Sequence, residues 1–220
     1  MKRIVEVFCL LLLATGWSLG QDNEVSFTVG PTFTSDQKLR TDSILPGCQV
    51  AGCTGVTTFS TDASVSFSLA YARRITDMGP AALYLELPIV GQPGHDVEVV
   101  STNRTLGFSG TVRGSAFFFT PAARIQFLPK GRISPWATAG YGVARLSQDL
   151  SSSRHTKGAA QFGGGIDFKT SPHLAIRGEV RDFWTPSMVE SGPVATLTSA
   201  TALTTHIHHF YAGGGVVFKF

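Results

Sequence analysis

Three histidines near residue 208 are the residues whose type and spacing come closest to a metal site. His206 and His208 are two positions apart, so on a strand both side chains fall on one face, where their imidazoles could share a metal ion. His209 falls on the opposite face. No third ligand is evident beside the pair. The sequence therefore predicts no metal site, and His206 and His208 are only weak candidates for one.

Serine nucleophiles are the second kind of chemistry to consider. Ser187, Ser191 and Ser199 lie in the same part of the chain as the histidines, but no G-x-S-x-G nucleophile elbow occurs. Phosphate-loop and dinucleotide fingerprints are also absent, because the triplets Gly163–Gly165 and Gly213–Gly215 lie within predicted strands rather than before helices. We therefore predict no catalytic residues and no cofactor.

The amino-terminal residues have the organisation of an export signal. Lys2 and Arg3 precede an apolar run, and small residues at positions 18 and 20 suit a signal peptidase. We predict a cleaved signal peptide over residues 1–20 and a mature domain over residues 21–220. A retained helical anchor is the alternative, although the run is short for a membrane span. Removing the signal lowers the formal charge from +3 to +2.

Two cysteines remain in the mature chain. Cys48 and Cys53 lie in a glycine-rich segment, and export to an oxidising compartment favours a disulfide between them. Two metal-binding thiolates are the alternative, but other ligands are lacking nearby.

The composition excludes several classes of protein. Hydrophobic residues make up 43% of the chain and charged residues only 15%, and 24 of the 220 residues are glycine. These values argue against a disordered chain, a collagen-like repeat and a disulfide-rich miniprotein. The small net charge gives no reason to expect a nucleic-acid partner. After the signal, no apolar run approaches the roughly 18–20 residues of a membrane helix.

Hydrophobic residues instead alternate with polar or small ones, which is the period of a β-strand. Eight segments show the pattern: residues 25–30, 64–72, 83–89, 117–127, 133–143, 161–169, 174–181 and 209–220. Most have about the length that a tilted membrane-spanning strand requires. The sequence therefore predicts an all-β fold.

The connections between these strands differ in length in a regular way. Short polar turns at residues 76–79, 129–132 and 170–173 alternate with long segments at 35–63, 91–114, 147–158 and 184–205. An eight-stranded antiparallel up-and-down transmembrane β-barrel has this plan, with short periplasmic turns and long extracellular loops. Ten strands are the alternative, with Val97–Val100 and Leu106–Val112 forming an additional hairpin.

In a membrane barrel the apolar face meets lipid and the polar face fills the interior. Eight strands leave an interior that side chains can fill, and charges placed there must be paired. We therefore predict an ionic network that plugs the interior, formed by Glu86, Arg124, Asp167, Lys169, Arg177, Glu179 and Arg181.

Aromatic residues near the predicted strand ends suggest interfacial girdles. Core packing would look the same from the sequence. The residues are Tyr71, Phe127, Trp136, Tyr141, Phe168 and Tyr211.

Together these features resemble the small outer-membrane β-barrel proteins of didermic bacteria, such as the barrel domain of outer membrane protein A. The segments Pro135–Leu146 and Tyr211–Phe220 carry the resemblance best. The final Phe220, with Phe218 and Val216 behind it, looks like the signal by which such barrels reach their insertion machinery. The resemblance implies an outer-membrane location and contact with outer-membrane lipid and lipopolysaccharide.

We expect a monomeric, non-catalytic barrel with a structural or surface-interaction role. A narrow, porin-like pore or small-solute conduit of the same architecture is one alternative. A soluble, lipocalin-like periplasmic binding protein is another. Some outer-membrane barrels are lipid-modifying enzymes that use a Ser–His pair, so the resemblance leaves a small place for catalysis.

Overall fold

The strands of this chain pair side by side until the first meets the last. The computed structural model describes residues 23–43, 54–101, 109–148, 151–186, 192–195, 198–202 and 205–220. Within these ranges the strands are β1 (Asn23–Thr34), β2 (Gln37–Ser43), β3 (Thr54–Thr61), β4 (Ser64–Met78), β5 (Ala81–Ser101), β6 (Ser109–Phe119), β7 (Ala122–Phe127), β8 (Ile133–Gln148), β9 (Ser151–Lys169), β10 (Leu174–Pro186), β11 (Gly192–Ala195), β12 (Thr198–Ala202) and β13 (His206–Lys219).

Antiparallel pairing closes a ring. β1 pairs with β4 on one side and with β13 on the other. From β4 the ring runs through β5, β6 and β7, β8, β9 and β10, and then back to β13. Among the described residues this makes eight strand positions if β6 and β7 count as one, and the predicted all-β, up-and-down architecture is confirmed.

β6 and β7 are two parts of one strand. Both pair with β5 and with β8, and the inward and outward alternation of their side chains continues across the gap. The gap contains Pro121, which has no N–H to donate to a ladder. The carbonyl of Pro121 still accepts from the N–H of Tyr141 at 3.1 Å. The proline therefore interrupts the ladder without changing which side chains face inward.

The outer surface of the barrel is apolar around its circumference. On β1, Phe27 and Val29 are about half exposed, whereas Ser26 and Thr28 between them are buried. The other strands of the ring repeat the pattern, and the exposed set includes Leu69, Leu85, Ile125, Ile166, Val180 and Val216. An apolar belt outside and polar side chains inside are the arrangement of a barrel whose solvent is lipid.

No helix in the described ranges is long and apolar enough to cross a membrane.

Tight connections join the strands at one end, called here the short-turn end. β4 meets β5 at Gly79, whose φ of 69° lies in the left-handed region that glycine adopts without a Cβ clash. Residues 128–132 join β7 to β8, and residues 170–173 join β9 to β10. These are the three short turns that the sequence predicts.

The opposite end, called here the long-loop end, carries more strand structure than the sequence indicates. β5 has 21 residues and β9 has 19, about twice the 9–11 residues that a tilted membrane strand needs. β3 pairs with the far part of β5, β2 pairs with β3, and β12 pairs with β2 and β11. A sheet therefore continues beyond the apolar belt.

In the described residues, the additional hairpin of the ten-strand alternative does not add strands to the ring, and its residues 106–108 lie outside the described ranges. Val97–Val100 belong to β5 and pair with Ser109–Val112 of β6, so they lengthen two existing strands. Alternation in this region indicated a hairpin because the two strands run side by side. It could not show that they continue strands already counted.

The facing of the barrel is testable with an arginine on its surface. Val180→Arg and Leu69→Arg, at outward side chains near the middle of β10 and β4 that are 46% and 49% exposed, are each expected to lower the free energy of unfolding in lipid vesicles by about 2–4 kcal/mol, because the charge enters hydrocarbon. Val100→Arg is the matched control, since Val100 is exposed on β5 beyond the belt. A tolerated arginine at both positions 180 and 69 would contradict the outward facing of the apolar side chains.

Candidate functional site

The inward face of the barrel collects charged side chains from most of its strands. Each stands at an inward position of its strand, with outward apolar neighbours. The cluster, called here the ionic cluster, consists of Glu24 on β1, Glu86 on β5, Arg124 on β7, Asp167 on β9, Arg177, Glu179 and Arg181 on β10, and Lys219 on β13. All eight are buried.

Arg177 and Asp167 form the best-defined pair of the cluster. They are direct cross-strand partners of β10 and β9. Arg177 donates from Nε to Asp167 Oδ1 at 2.7 Å and from Nη2 to Oδ2 at 2.8 Å. A bidentate contact of this kind is among the stronger charge-assisted interactions in proteins. Register therefore places the two charges against each other.

Other pairs reach across the interior. Arg181 on β10 donates from Nη2 to Glu86 Oε1 on β5 at 2.7 Å, and β10 and β5 are not neighbours in the ring. Arg124 on β7 likewise contacts Glu24 on β1 from the other side of the barrel. Side chains that meet from distant strands leave little open space between them.

Further contacts between charged groups complete the cluster. Arg181 Nη2 is also 2.8 Å from Glu179 Oε2, and Lys219 Nζ is 2.7 Å from Glu24 Oε1. Arg177 Nη2 lies 3.6 Å from Glu24 Oε2. Each carboxylate thus has at least one cation within contact distance. Four acidic and four basic groups balance, so the cluster carries no net charge.

Trp136 lies among the arginines. The guanidinium carbons of Arg124, Arg177 and Arg181 lie 5.7, 5.0 and 5.4 Å from its ring centroid, and its Nε1 donates to Asp167 Oδ1 at 3.2 Å. Within about 6 Å a guanidinium is attracted to an aromatic face. Gly165 makes room for the ring, because a Cβ there would lie 2.6 Å from a Trp136 ring atom.

Hydroxyl groups extend the cluster toward the long-loop end. Thr28 Oγ1 donates to Glu179 Oε1 at 2.6 Å and lies 2.8 Å from the Tyr211 hydroxyl. Gly213 makes room for the Tyr211 ring, because a Cβ at Gly213 would lie 2.1 Å from the Tyr211 hydroxyl oxygen. The acidic groups are therefore hydrogen-bonded as well as paired, which offsets the cost of burying them.

An apolar layer covers the ionic cluster on the long-loop side. The rings of Phe118 and Phe183 stack with centroids 4.6 Å apart, and the ring of buried His209 lies 5.1 Å from Phe118. The layer consists of Val90, Ala116, Phe118, Ala144, Leu146, Ala159, Phe183 and Tyr211. Two successive layers of buried side chains, one ionic and one apolar, therefore lie inside the barrel.

His95 and His209 line a small cavity above this layer. The cavity has a volume of about 10 Å³, enough for roughly one water molecule. His209 Nδ1 lies 3.1 Å from Thr34 Oγ1, and His95 lies on the part of β5 beyond the apolar belt. Burial lowers the pKa of His95 below its ordinary value, which favours the neutral ring.

Six of the seven residues named from the sequence meet in the ionic cluster, and Lys169 does not. Its half-buried side chain donates from Nζ to the Pro129 carbonyl oxygen at the short-turn end. Lys169 is the last residue of β9, beyond the level at which the acids converge. Alternation gives the face of a side chain but not its depth along the barrel.

Sequence reasoning missed Glu24, Lys219 and Trp136. Glu24 precedes the first segment recognised as alternating, although it shares the inward parity of Ser26 and Thr28. Lys219 has the same parity as Gly215 on β13 and could have been included.

The girdle interpretation is wrong for Trp136 and Tyr211, which are 3% and 0% exposed and lie inside the barrel. Both are at inward positions, which the alternation of their strands already indicated. Tyr141, Phe127 and Phe168 do lie on the outer surface. Tyr71 is half-buried, and its hydroxyl donates to Asn23 Oδ1 at 2.8 Å.

The two candidate metal ligands lie outside the barrel. His206 and His208 flank the ring of Trp184, with centroid distances of 4.8 and 6.3 Å, and His208 Nδ1 is 2.7 Å from Asp182 Oδ2. Across the described ranges, no group of three or more histidine, cysteine, aspartate or glutamate side chains could hold a metal ion.

Several predicted features have no structural description. The signal peptide, Cys48, Cys53, Ser187 and Ser191 lie outside the described residues, and Ser199 lies in β12. Val216, Phe218 and Phe220 lie on the outer face at the short-turn end, each about half exposed.

Comparison with solved structures identifies the fold. The outer membrane protein OprG from Pseudomonas aeruginosa matches with 13% identity over 90% of this chain and 95% of that chain, and the TM-score is 0.53. The amino-terminal β-barrel domain of OprF from Pseudomonas aeruginosa matches with 12% identity over 90% and 98% of the two chains, at a TM-score of 0.47.

Neisserial surface protein A matches with 13% identity over 89% and 99% of the two chains, at a TM-score of 0.43. No family model and no curated protein matches the chain. At these identities the match to OprG shows a shared fold, that of a small outer-membrane β-barrel, as the sequence predicts.

The importance of the pairing is testable at Arg181. We expect Arg181→Met to lower the free energy of unfolding in lipid vesicles by about 3–5 kcal/mol, because Glu86 and Glu179 lose a buried partner. Arg145→Met, at an exposed position on β8 toward the long-loop end, should change it by less than about 0.5 kcal/mol. Equal small changes in the two variants would show that the carboxylates do not depend on this arginine.

Proposed function

We propose that this protein is an integral outer-membrane barrel whose interior is closed to solutes and whose long-loop end serves a structural or surface-interaction role. The observation that carries the proposal is the filled interior. Arg181 meets Glu86 and Arg124 meets Glu24 across the barrel, with Trp136 between the arginines.

The net neutrality of the cluster supports a plug rather than a selective pore. Ion-selective pores present rings of one charge to the passing ion. Here Arg177 and Arg181 are committed to carboxylates at 2.7 Å, and a passing ion would have to separate these pairs. The stacked Phe118 and Phe183 add an apolar barrier on the long-loop side.

The facing of the side chains supports membrane insertion over a soluble, lipocalin-like binding protein. A soluble barrel turns its apolar side chains inward and its charges outward. This barrel has Val216 and Phe27 about half exposed, and Glu86 and Arg181 fully buried. The outer membrane is the membrane in which barrels of this fold reside, and the predicted export signal and the predicted insertion signal of Val216, Phe218 and Phe220 fit this location.

The sheet beyond the apolar belt supports the interaction role. β2, β3 and the far part of β5 continue the barrel wall, and β12 adds a strand from a distant part of the chain. With the short turns in the periplasm, this sheet stands on the cell surface. It presents a paired, ordered surface to partners outside the cell.

Single-channel recording in planar lipid bilayers tests the closed interior. The mature protein is expected to insert without producing conductance steps, because the ionic cluster and the apolar layer block the path. Insertion is checked independently by flotation of protein-containing vesicles on a density gradient. Stepwise conductance from floated protein would contradict the proposal and favour the narrow pore.

A further inference from the structure

The short-turn end carries an excess of positive charge. Five basic residues lie in its turns or on the strand segments that lead to them, against one described acidic residue outside the ionic cluster. The basic residues are Arg73, Arg74, Lys130, Arg132 and Lys169, and the acidic residue is Asp77. Arg74 pairs with Asp77 at 3.4 Å. None of Arg73, Lys130 and Arg132 has a described acidic group within salt-bridge distance.

The rest of the protein does not share this excess. The ionic cluster is neutral. At the long-loop end and on the strands leading to it, the charged side chains that the structure describes balance: Asp36, Asp62, Asp96, Glu98 and Asp182 stand against Lys38, Arg40, Arg113, Arg145 and Lys157. Among the side chains that the structure describes, the excess of positive charge therefore lies at the short-turn end.

Apolar side chains lie among these cations. The guanidinium carbon of Arg132 lies 4.9 Å from the centroid of the exposed Phe168 ring. Ile75, Met78 and Leu128 are exposed at or beside the turns themselves. A soluble acidic partner would give these apolar groups no favourable environment, whereas the boundary between acyl chains and headgroups suits both kinds of side chain.

Arg73 lies, like Arg132, at the edge of the apolar belt, but elsewhere around the barrel. It follows Tyr71 on the outward face of β4, at the level of Asn23 where β1 begins. Arg73 on β4 and Arg132 in the turn before β8 thus lie at the edge of the apolar belt at separate places around the barrel. Cations at this depth meet the phosphates of a leaflet, and each contributes favourably to binding an anionic surface.

We infer that this rim binds the phosphate groups of anionic phospholipids in the leaflet at the short-turn end. Arg73 and Arg132 are the principal contacts, and the exposed Lys130 adds to the positive potential. This inference goes beyond the proposed closed barrel and relies on it only for the placement of the barrel in a membrane.

Native mass spectrometry of the detergent-purified mature protein tests the rim. The protein is titrated with phosphatidylglycerol and with phosphatidylcholine of the same acyl chains. We expect the wild type to prefer phosphatidylglycerol. Arg73→Gln/Arg132→Gln should weaken phosphatidylglycerol binding about fivefold for each cation removed and leave phosphatidylcholine binding unchanged.

The matched control is Arg113→Gln/Arg145→Gln, which removes two exposed arginines toward the other end. This variant should bind phosphatidylglycerol as the wild type does. Equal binding of the two lipids by the wild type, or an equal loss in both double variants, would overturn the inference. Conductance from a protein that still prefers phosphatidylglycerol would contradict the closed interior alone.

Discussion

The constraint on which the rest of the structure depends is the cost of burying ions inside a narrow barrel. Eight charges share an interior with little room for water, and each unpaired ion there would cost several kcal/mol. The barrel meets this cost by pairing every carboxylate with a cation and by placing Trp136 against three guanidinium groups. The register of the strands and the closure of the ring bring each carboxylate against a cation, and the cluster as a whole is neutral. Arg177 meets Asp167 only in the observed register, and a slip by one residue would turn Arg177 toward the lipid.

The outer surface follows from the same alternation. Every inward charge on a strand requires outward neighbours that lipid accepts, and Ile176 and Val180 fulfil this requirement around Arg177, Glu179 and Arg181. Proline is tolerated at position 121 because the strand keeps its parity and β8 still donates to the Pro121 carbonyl. Beyond the apolar belt the strands no longer need to present apolar side chains to lipid, and the sheet widens into β2, β3 and β12.

Most of the fold and much of the site could be predicted from alternation alone. Period two located all eight barrel strands and assigned Glu86, Arg124 and Asp167 to the inward face. What alternation lacks is information on depth and on contacts across the barrel. Lys169 shares the parity of Asp167 but lies one step too far toward the turn. The contact of Glu24 with Arg124 depends on how the ring closes, which no local pattern records. The strands of the long loops escaped notice because threonine-rich segments such as Thr54–Thr61 show little contrast between their two faces.

The central claim is that the chain forms a closed barrel whose apolar surface requires a membrane. The most direct test is an outer-membrane extract of the expressing cells, run on an SDS gel with and without boiling beside the soluble periplasmic fraction. The protein should appear in the membrane extract, and its band should shift on boiling, because a fully paired barrel resists SDS until heat opens it. A protein found in the periplasmic fraction with no shift on boiling would contradict the account.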